Sequence, residues 1–198
     1  MKSAVLIGDD KLGRRLIQRL ESIDDTMIVI DRSQSLSRVY RLLRRRSLTL
    51  RSLQQMGWAD LCRQDTQVSG SYPSISSNQE LLEFLESRQI SRLFLFRAGL
   101  IIGRKLLDAD VVLINVHCAR LPDYGGIGVI SRALKDRAFD QEATAHIVTK
   151  NIDRGEIVAT RSYQLALDQS YRENEDRAYL AGIELLTSLL VHRKAEAA

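Results

Sequence analysis

Apolar residues along this chain fall into short unbroken runs that alternate with stripes at helical spacing, the pattern of strands buried on both faces by helices. The run Ala-Val-Leu-Ile at 4–7 ends at Gly8. Leu12, Leu16, Ile17 and Leu20 then recur at helical spacing, which predicts strand, turn and helix. A second run at 27–30, closed by Asp31, predicts the next parallel strand. From Leu36 to about Leu61 the pattern is helical and basic: Leu36, Val39, Leu42 and Leu43 make one stripe, and a second helix carries Leu50, Leu53, Met56 and Leu61. Residues 64–78, rich in Ser with Gly70 and Pro73, predict a surface loop.

Asn78 is the expected N-cap of a helix carrying Leu81, Leu82, Phe84 and Leu85. A strand at 93–96, a brief helix and a buried strand at 111–114 follow, with Asn115 and His117 at the carboxyl end of the last. After a loop with Pro122, Gly125, Gly126 and Gly128 comes a helix over 129–135. Strands at 143–148 and 156–163 are joined by a tight connection over 150–155, which makes them antiparallel. A closing helix over 171–192 places Ala178, Ala181, Leu185, Leu186, Leu189 and Leu190 on one side, and the tail after Lys194 is expected to fray. The whole predicts an α/β, Rossmann-like doubly wound and mostly parallel sheet with an antiparallel C-terminal part, as a single domain over 1–198.

Composition narrows the function. The chain lacks a stretch of signal-peptide or membrane-span length, so a cytoplasmic setting without a membrane span is expected. Cys62 and Cys118 stand far apart, and His117, His146 and His192 are scattered, so neither a disulfide framework nor a metal is expected. The net charge of +4 is modest, but Arg38, Arg41, Arg44, Arg45, Arg46 and Arg51 crowd one segment. Without interleaved aromatics that segment does not predict nucleic-acid binding. It suits a diphosphate or another anionic partner, and it reads equally as a solvated helix or as a packing surface between protomers of a homodimer. Gly8 and Gly13 with Asp9 and Asp10 between them are not the G-x-G-x-x-G of a dinucleotide site, which disfavours an NAD-dependent oxidoreductase.

The chemistry is expected beyond the carboxyl ends of the strands. Asn115 and His117, two apart on an extended segment, aim an amide and an imidazole the same way. The run Asn-Val-His-Cys-Ala-Arg-Leu-Pro-Asp-Tyr-Gly-Gly over 115–126 resembles the signature Asn-x-His-x-x-x-Leu-Pro-x-Tyr-x-Gly of the folate-dependent formyltransferases. Ile-Asp-Arg-Gly over 152–155, after His-Ile-Val-Thr over 146–149, resembles that family's later Asp-x-Gly loop at a matching separation.

The resemblance implies an enzyme that moves a formyl group from 10-formyltetrahydrofolate to a primary amine. It implies Asn115 and a protonated His117 as donors to the developing oxyanion, and Asp153 as the carboxylate that raises the His117 pKa and holds a relay water. It also implies a folate pocket from Arg97, Ala98, Gly99, Ile101 and Ile102, with Val148, Thr149 and Asn151. Cys118 and Ala119 depart from the Pro and small residue usual after the histidine, and Cys118 reads as a packed small hydrophobe. The loop Gly-Asp-Asp-Lys-Leu-Gly over 8–13 is unlike the phosphate loop of relatives acting on glycinamide ribonucleotide. Because the chain closes with the last helix of the catalytic domain, a tRNA acceptor is not expected. The plan is closest to compact amino-sugar N-formyltransferases, which implies a nucleotide-linked amino sugar as acceptor. The alternative is a non-catalytic module of the same fold that docks a partner through its basic helix.

Overall fold

In the computed structural model, residues 2–23, 26–33 and 49–195 are described, together with Arg44. Chain order gives β1 (Ser3–Gly8), α1 (Lys11–Leu20), β2 (Thr26–Asp31), α2 (Leu50–Cys62), β3 (Ser74–Ile75), α3 (Asn78–Arg88) and β4 (Arg92–Phe96). Then follow α4 (Arg104–Leu107), β5 (Val112–His117), α5 (Val129–Lys135), β6 (Asp140–Ile147), β7 (Ile157–Gln164) and α6 (Tyr171–Ala195). The strands form one sheet in the order β3-β2-β1-β4-β5-β6-β7. Pairing is parallel as far as β5 and antiparallel from β5 to β6 and from β6 to β7. This is the mixed, doubly wound sheet that the hydrophobic pattern predicts.

Both sheet faces are covered, which is why β1 and β4 are buried at every position. One layer packs Leu16, Ile17 and Leu20 of α1 and Ala178, Leu185 and Leu186 of α6 on Val5, Ile7, Phe94 and Phe96. The other packs Leu81, Phe84 and Leu85 of α3 and Leu106 of α4 on Ala4, Leu6, Leu93 and Leu95. The turn into α1 is tight because a Cβ on Gly13 would stand 2.1 Å from the Gly8 carbonyl oxygen. Strand order reverses between β1 and β4, so the open end of the sheet there is where a doubly wound fold takes ligands.

Several local expectations change. Ser77, not Asn78, caps α3: its hydroxyl accepts from the Glu80 amide at 3.2 Å, and the Glu80 carboxylate returns to the Ser76 amide at 2.8 Å. Asn78 instead donates to the Ile101 carbonyl and accepts from the Gly103 amide, tying α3 to the loop after β4. The predicted loop over 64–78 contains β3, which the hydrophobic pattern missed because a single buried residue, Ile75, has no period. On α2 the apolar stripe does not reach the core: Leu50 and Leu61 are exposed, and Ala59 is the buried residue. Helix α6 continues past His192 to Ala195. The predicted stripe of Leu36, Val39, Leu42 and Leu43 lies outside the described residues, as do Arg38, Arg41, Arg45 and Arg46. Among the described residues, no helix is long and apolar enough to cross a membrane.

Asp31, fully buried at the end of β2, accepts from the Ser33 amide at 2.7 Å and from the Leu100 amide at 2.8 Å. It therefore pins the loop after β4 to β2, two strands away in the sheet. Asp31→Ala strands both amides, and we expect it to cost about 2 to 3 kcal/mol, read as a lower urea midpoint at unchanged slope. A midpoint change worth less than about 0.5 kcal/mol would mean that something else holds the loop.

Candidate active site

Asn115 and His117 lie within β5, and the antiparallel register of β6 sets His146 directly opposite Asn115. Between Ala145 and His146 the pairing of β6 with β7 shifts, an irregularity of the kind that re-aims a side chain. Asp153 reaches the same place from the β6–β7 connection. Its backbone is left-handed, with φ of 53°, a conformation that Asp tolerates better than most residues. Gly155 follows because the chain there crosses the Ile147 carbonyl so closely that a Cβ would stand 1.8 Å from its oxygen. The Asp-x-Gly spacing is thus a steric requirement of the loop that delivers the carboxylate.

These four side chains converge. His117 Nδ1 stands 3.8 Å from Asp153 Oδ2, and His146 Nε2 stands 3.5 Å from Asp153 Oδ1 and 3.1 Å from Asn115 Nδ2. The backbone carbonyl of Tyr124 can only accept, so His117 Nε2, 2.7 Å away, carries a hydrogen and Nδ1 is the nitrogen left to face the carboxylate. His146 Nδ1 donates likewise to the Ile147 carbonyl at 3.0 Å, and its Nε2 accepts from Asn115. One Asn115 N–H is spent in that way, and among the described residues none takes the other. Asp153 Oδ2 also accepts from the Gly126 amide at 2.7 Å, which locks the glycine loop over the site.

Electrostatics correct one expectation. Burial pushes the His117 pKa down and outweighs the attraction of Asp153, so the imidazole sits below its ordinary 6.5 and is neutral at neutral pH. Asp153 does favour the charged ring, but it does not win. For Asp153 itself, burial pushes the carboxyl up. The contact with His146, the charge of His117 and the Gly126 amide outweigh that push and hold it below its usual 3.8. Cys118 does not fill the gap between these groups: it is buried, with Sγ 2.6 Å from where a Cβ on Gly182 of α6 would stand. Burial pushes its thiol up to about 12, which makes it inert as a nucleophile.

A cavity of about 470 Å³ opens on this cluster, within the range of small-molecule sites. Every residue expected in the folate pocket lines it: Arg97, Ala98, Gly99, Ile101 and Ile102 on one side, Val148, Thr149 and Asn151 on the other. The Arg97 guanidinium, however, turns to Asp10 and stacks 4.3 Å over the Tyr179 ring. The sequence pattern did not single out His146, Asp10, Glu175 or Tyr179, which line the same cavity. Only the β5–β6 register exposes His146, and only the docking of α6 brings in Glu175 and Tyr179. Arg44 and Arg51 of the basic segment are exposed and are not among the residues that line this cavity.

Known proteins resemble this chain in sequence and fold. A family model described as formyl transferase matches residues 1–190. A methionyl-tRNA formyltransferase from Lysinibacillus sphaericus is 31% identical over 93 residues, covering 46% of this chain and 30% of the relative. Another, from Thermotoga neapolitana, is 28% identical over 119 residues, covering 60% of this chain and 38% of the relative. The chain thus spans about a third of the length of the curated relatives it matches. Among solved structures, a phosphoribosylglycinamide formyltransferase from Bacillus halodurans is similar at TM-score 0.66 and 14% identity, over 100% of this chain and 97% of that one. A Mycobacterium tuberculosis protein described as uncharacterised and inferred to be a sugar N-formyltransferase is similar at TM-score 0.65 and 16% identity, over 95% of this chain and 66% of that one. At such identities the structural likeness speaks for the fold, while the family match runs over nearly the whole chain. The chain belongs to the formyl transferase family.

Proposed function

We propose that residues 1–198 act as a single catalytic domain that transfers a formyl group from 10-formyltetrahydrofolate, as co-substrate, to a primary amine in a cytoplasmic setting. The observation that carries this reading is the meeting of Asn115, His117 and Asp153 at one mouth of a cavity whose apolar walls suit a pterin. The donor supplies a formyl carbon attached to a nitrogen leaving group. Asn115 offers its free N–H to the oxygen of that carbon as charge develops on it. The neutral His117 takes the proton that the attacking amine must lose, at Nδ1, as the new C–N bond forms. It returns that proton to the departing nitrogen as the old C–N bond breaks, so atoms and charge balance. Asp153 steadies the imidazolium in between. At 3.8 Å from Nδ1 it is too far for a direct hydrogen bond, and it suits a water that touches both groups.

We further propose a nucleotide-linked amino sugar as the acceptor. The likeness to the Mycobacterium tuberculosis protein supports it, and so does the loop over 8–13, where two carboxylates stand in place of a phosphate cradle. The test is incubation with 10-formyltetrahydrofolate and a panel of nucleotide-linked amino sugars, followed by mass spectrometry for the added formyl group. Formylated sugar is the expected outcome. A protein that binds folate but leaves every panel member untouched has another acceptor, and one that binds no folate is the partner-docking module.

Asn115→Ala and His117→Ala should each lower kcat/KM by about 10² to 10³, equivalent to about 3 to 4 kcal/mol of barrier, with folding and folate-analogue binding retained. Unfolded variants would demote both residues to structural parts. Because the His117 pKa lies below 6.5, the acid limb of the kcat/KM profile should inflect below that pH, and activity should be flat from there through neutrality. An inflection above pH 7 would contradict the neutral imidazole.

A further inference from the structure

The cavity crosses the carboxyl edge of the sheet from one layer to the other. Ala98, Leu100, Ile102 and Val148 pack with the α3 and α4 layer, whereas Tyr171 and Tyr179 pack with the α1 and α6 layer. Asn115 and His117 stand between. If the donor lies among the first set, the amine must reach the formyl carbon from the second, where Asp10, Arg97 and Glu175 also line the wall.

An anion would ordinarily be welcome there, because the N-terminus of α1 presents free amides at the open end of β1. This chain has filled that position itself. Asp10 caps α1 by accepting from the Gly13 amide at 2.8 Å, and the same carboxylate takes Arg97 Nε at 2.8 Å and Nη2 at 2.7 Å. The nearby cations are committed as well. Arg14 pairs with Asp65 at 2.5 Å, Arg15 with Asp176 at 3.2 Å and Arg32 with Asp9 at 3.2 Å. Arg63 pairs with Glu175 at 2.5 Å, and Lys11 Nζ donates to the Asp60 carbonyl at 2.7 Å and to the Arg63 carbonyl at 2.9 Å. Among the described residues, Arg97 Nη1 is left without a protein partner.

We propose that Asp10 is an acceptor-specificity residue: its carboxylate, held by Arg97, occupies the anion position beside the reaction centre, so this half of the cleft takes an uncharged, hydroxylated amine-bearing ring and rejects phosphate. The proposal rests on the formyl-transfer reading for the direction from which the amine enters. A phosphate brought to α1 meets the Asp10 carboxylate and no free amide at Gly13, a repulsive element of the kind that separates close substrates. A sugar hydroxyl instead finds a donor in Arg97 Nη1. For a nucleotide-linked sugar, the ring enters this half and the diphosphate stays outside it.

The test uses inorganic phosphate and pyrophosphate as probes in calorimetry of the full chain, without folate or turnover, so that it reads independently of whether formyl transfer occurs. Asp10→Asn keeps an equally good cap while removing the charge. The wild-type chain should show no saturable binding, Asp10→Asn should bind pyrophosphate at least about tenfold more tightly, and a second change, Arg97→Ala, should cancel the gain. Asp10→Ser, also a good cap, serves if Asp10→Asn does not fold. Saturable phosphate binding by the wild type that Arg97→Ala abolishes, or a folded Asp10→Asn with no gain, overturns the proposal.

Discussion

Everything at this site depends on keeping the Asp153 carboxylate ionised in a place that is largely shut off from water. Its side chain is 10% exposed, and a charge removed from water to that degree is retained only when hydrogen bonds and opposite charge offset the lost hydration. Three elements meet around it: the glycine loop donates the Gly126 amide, β6 sets the His146 ring alongside, and β5 brings His117, which supplies opposite charge once it takes up a proton. Gly126 and His117 lie far from Asp153 in the chain. The change from parallel to antiparallel pairing at β5 is what brings them together, because it turns the β6–β7 connection back over the open end of β5. The sheet topology and the position of the carboxylate are therefore one constraint.

That constraint ties stability to protonation. Both His117 and Asp153 hold pKa values below their ordinary ones, so the folded state binds protons less readily than the unfolded chain at each. The sign is the same for both groups. Their contribution is complete above 6.5, falls first as His117 charges below that value, and falls again below 3.8 as Asp153 is neutralised. A site that favours a neutral imidazole beside a carboxylate is suited to accept a proton and return it, since the ring is pulled one way by burial and the other by Asp153. Neither pull alone would give a group able to move a proton in both directions.

How much of this was legible from residues alone follows from the range of each interaction. Runs buried on both faces, such as those of β1 and β4, announce themselves, because burial at every position leaves no polar residue to break the run. The amphipathic stripe of α1 is as clear. Local competition is harder: Ser77 and Asn78 are both good caps, and the loop over 97–103 decided between them by taking the Asn78 side chain. The Asn-x-His and Asp-x-Gly residues are legible through the family signature they resemble, and each is placed by its own strand or turn. His146 was not, since its role comes from a cross-strand register that no spacing in one segment encodes. The expectation of a protonated His117 failed for the same reason: an Asp nearby in the motif is legible, but the burial that outweighs it is set by the whole fold.

Charge composition was the least legible property, and it bears most on what the cleft admits. A basic chain suggests an appetite for anions, yet the arginines described around the open end of β1 and α1 are each matched by a carboxylate that packing brings to them. Arg63 and Glu175 show why composition misleads, because they are buried together, one just past α2 and the other on α6, far apart in sequence. An arginine pairs by position, and position is a property of the packed layers. Selectivity at such a cleft then depends less on how many cations surround it than on which carboxylates already hold them, and Asp10 holds Arg97, which lines the same cavity as the reacting groups just past the end of β4.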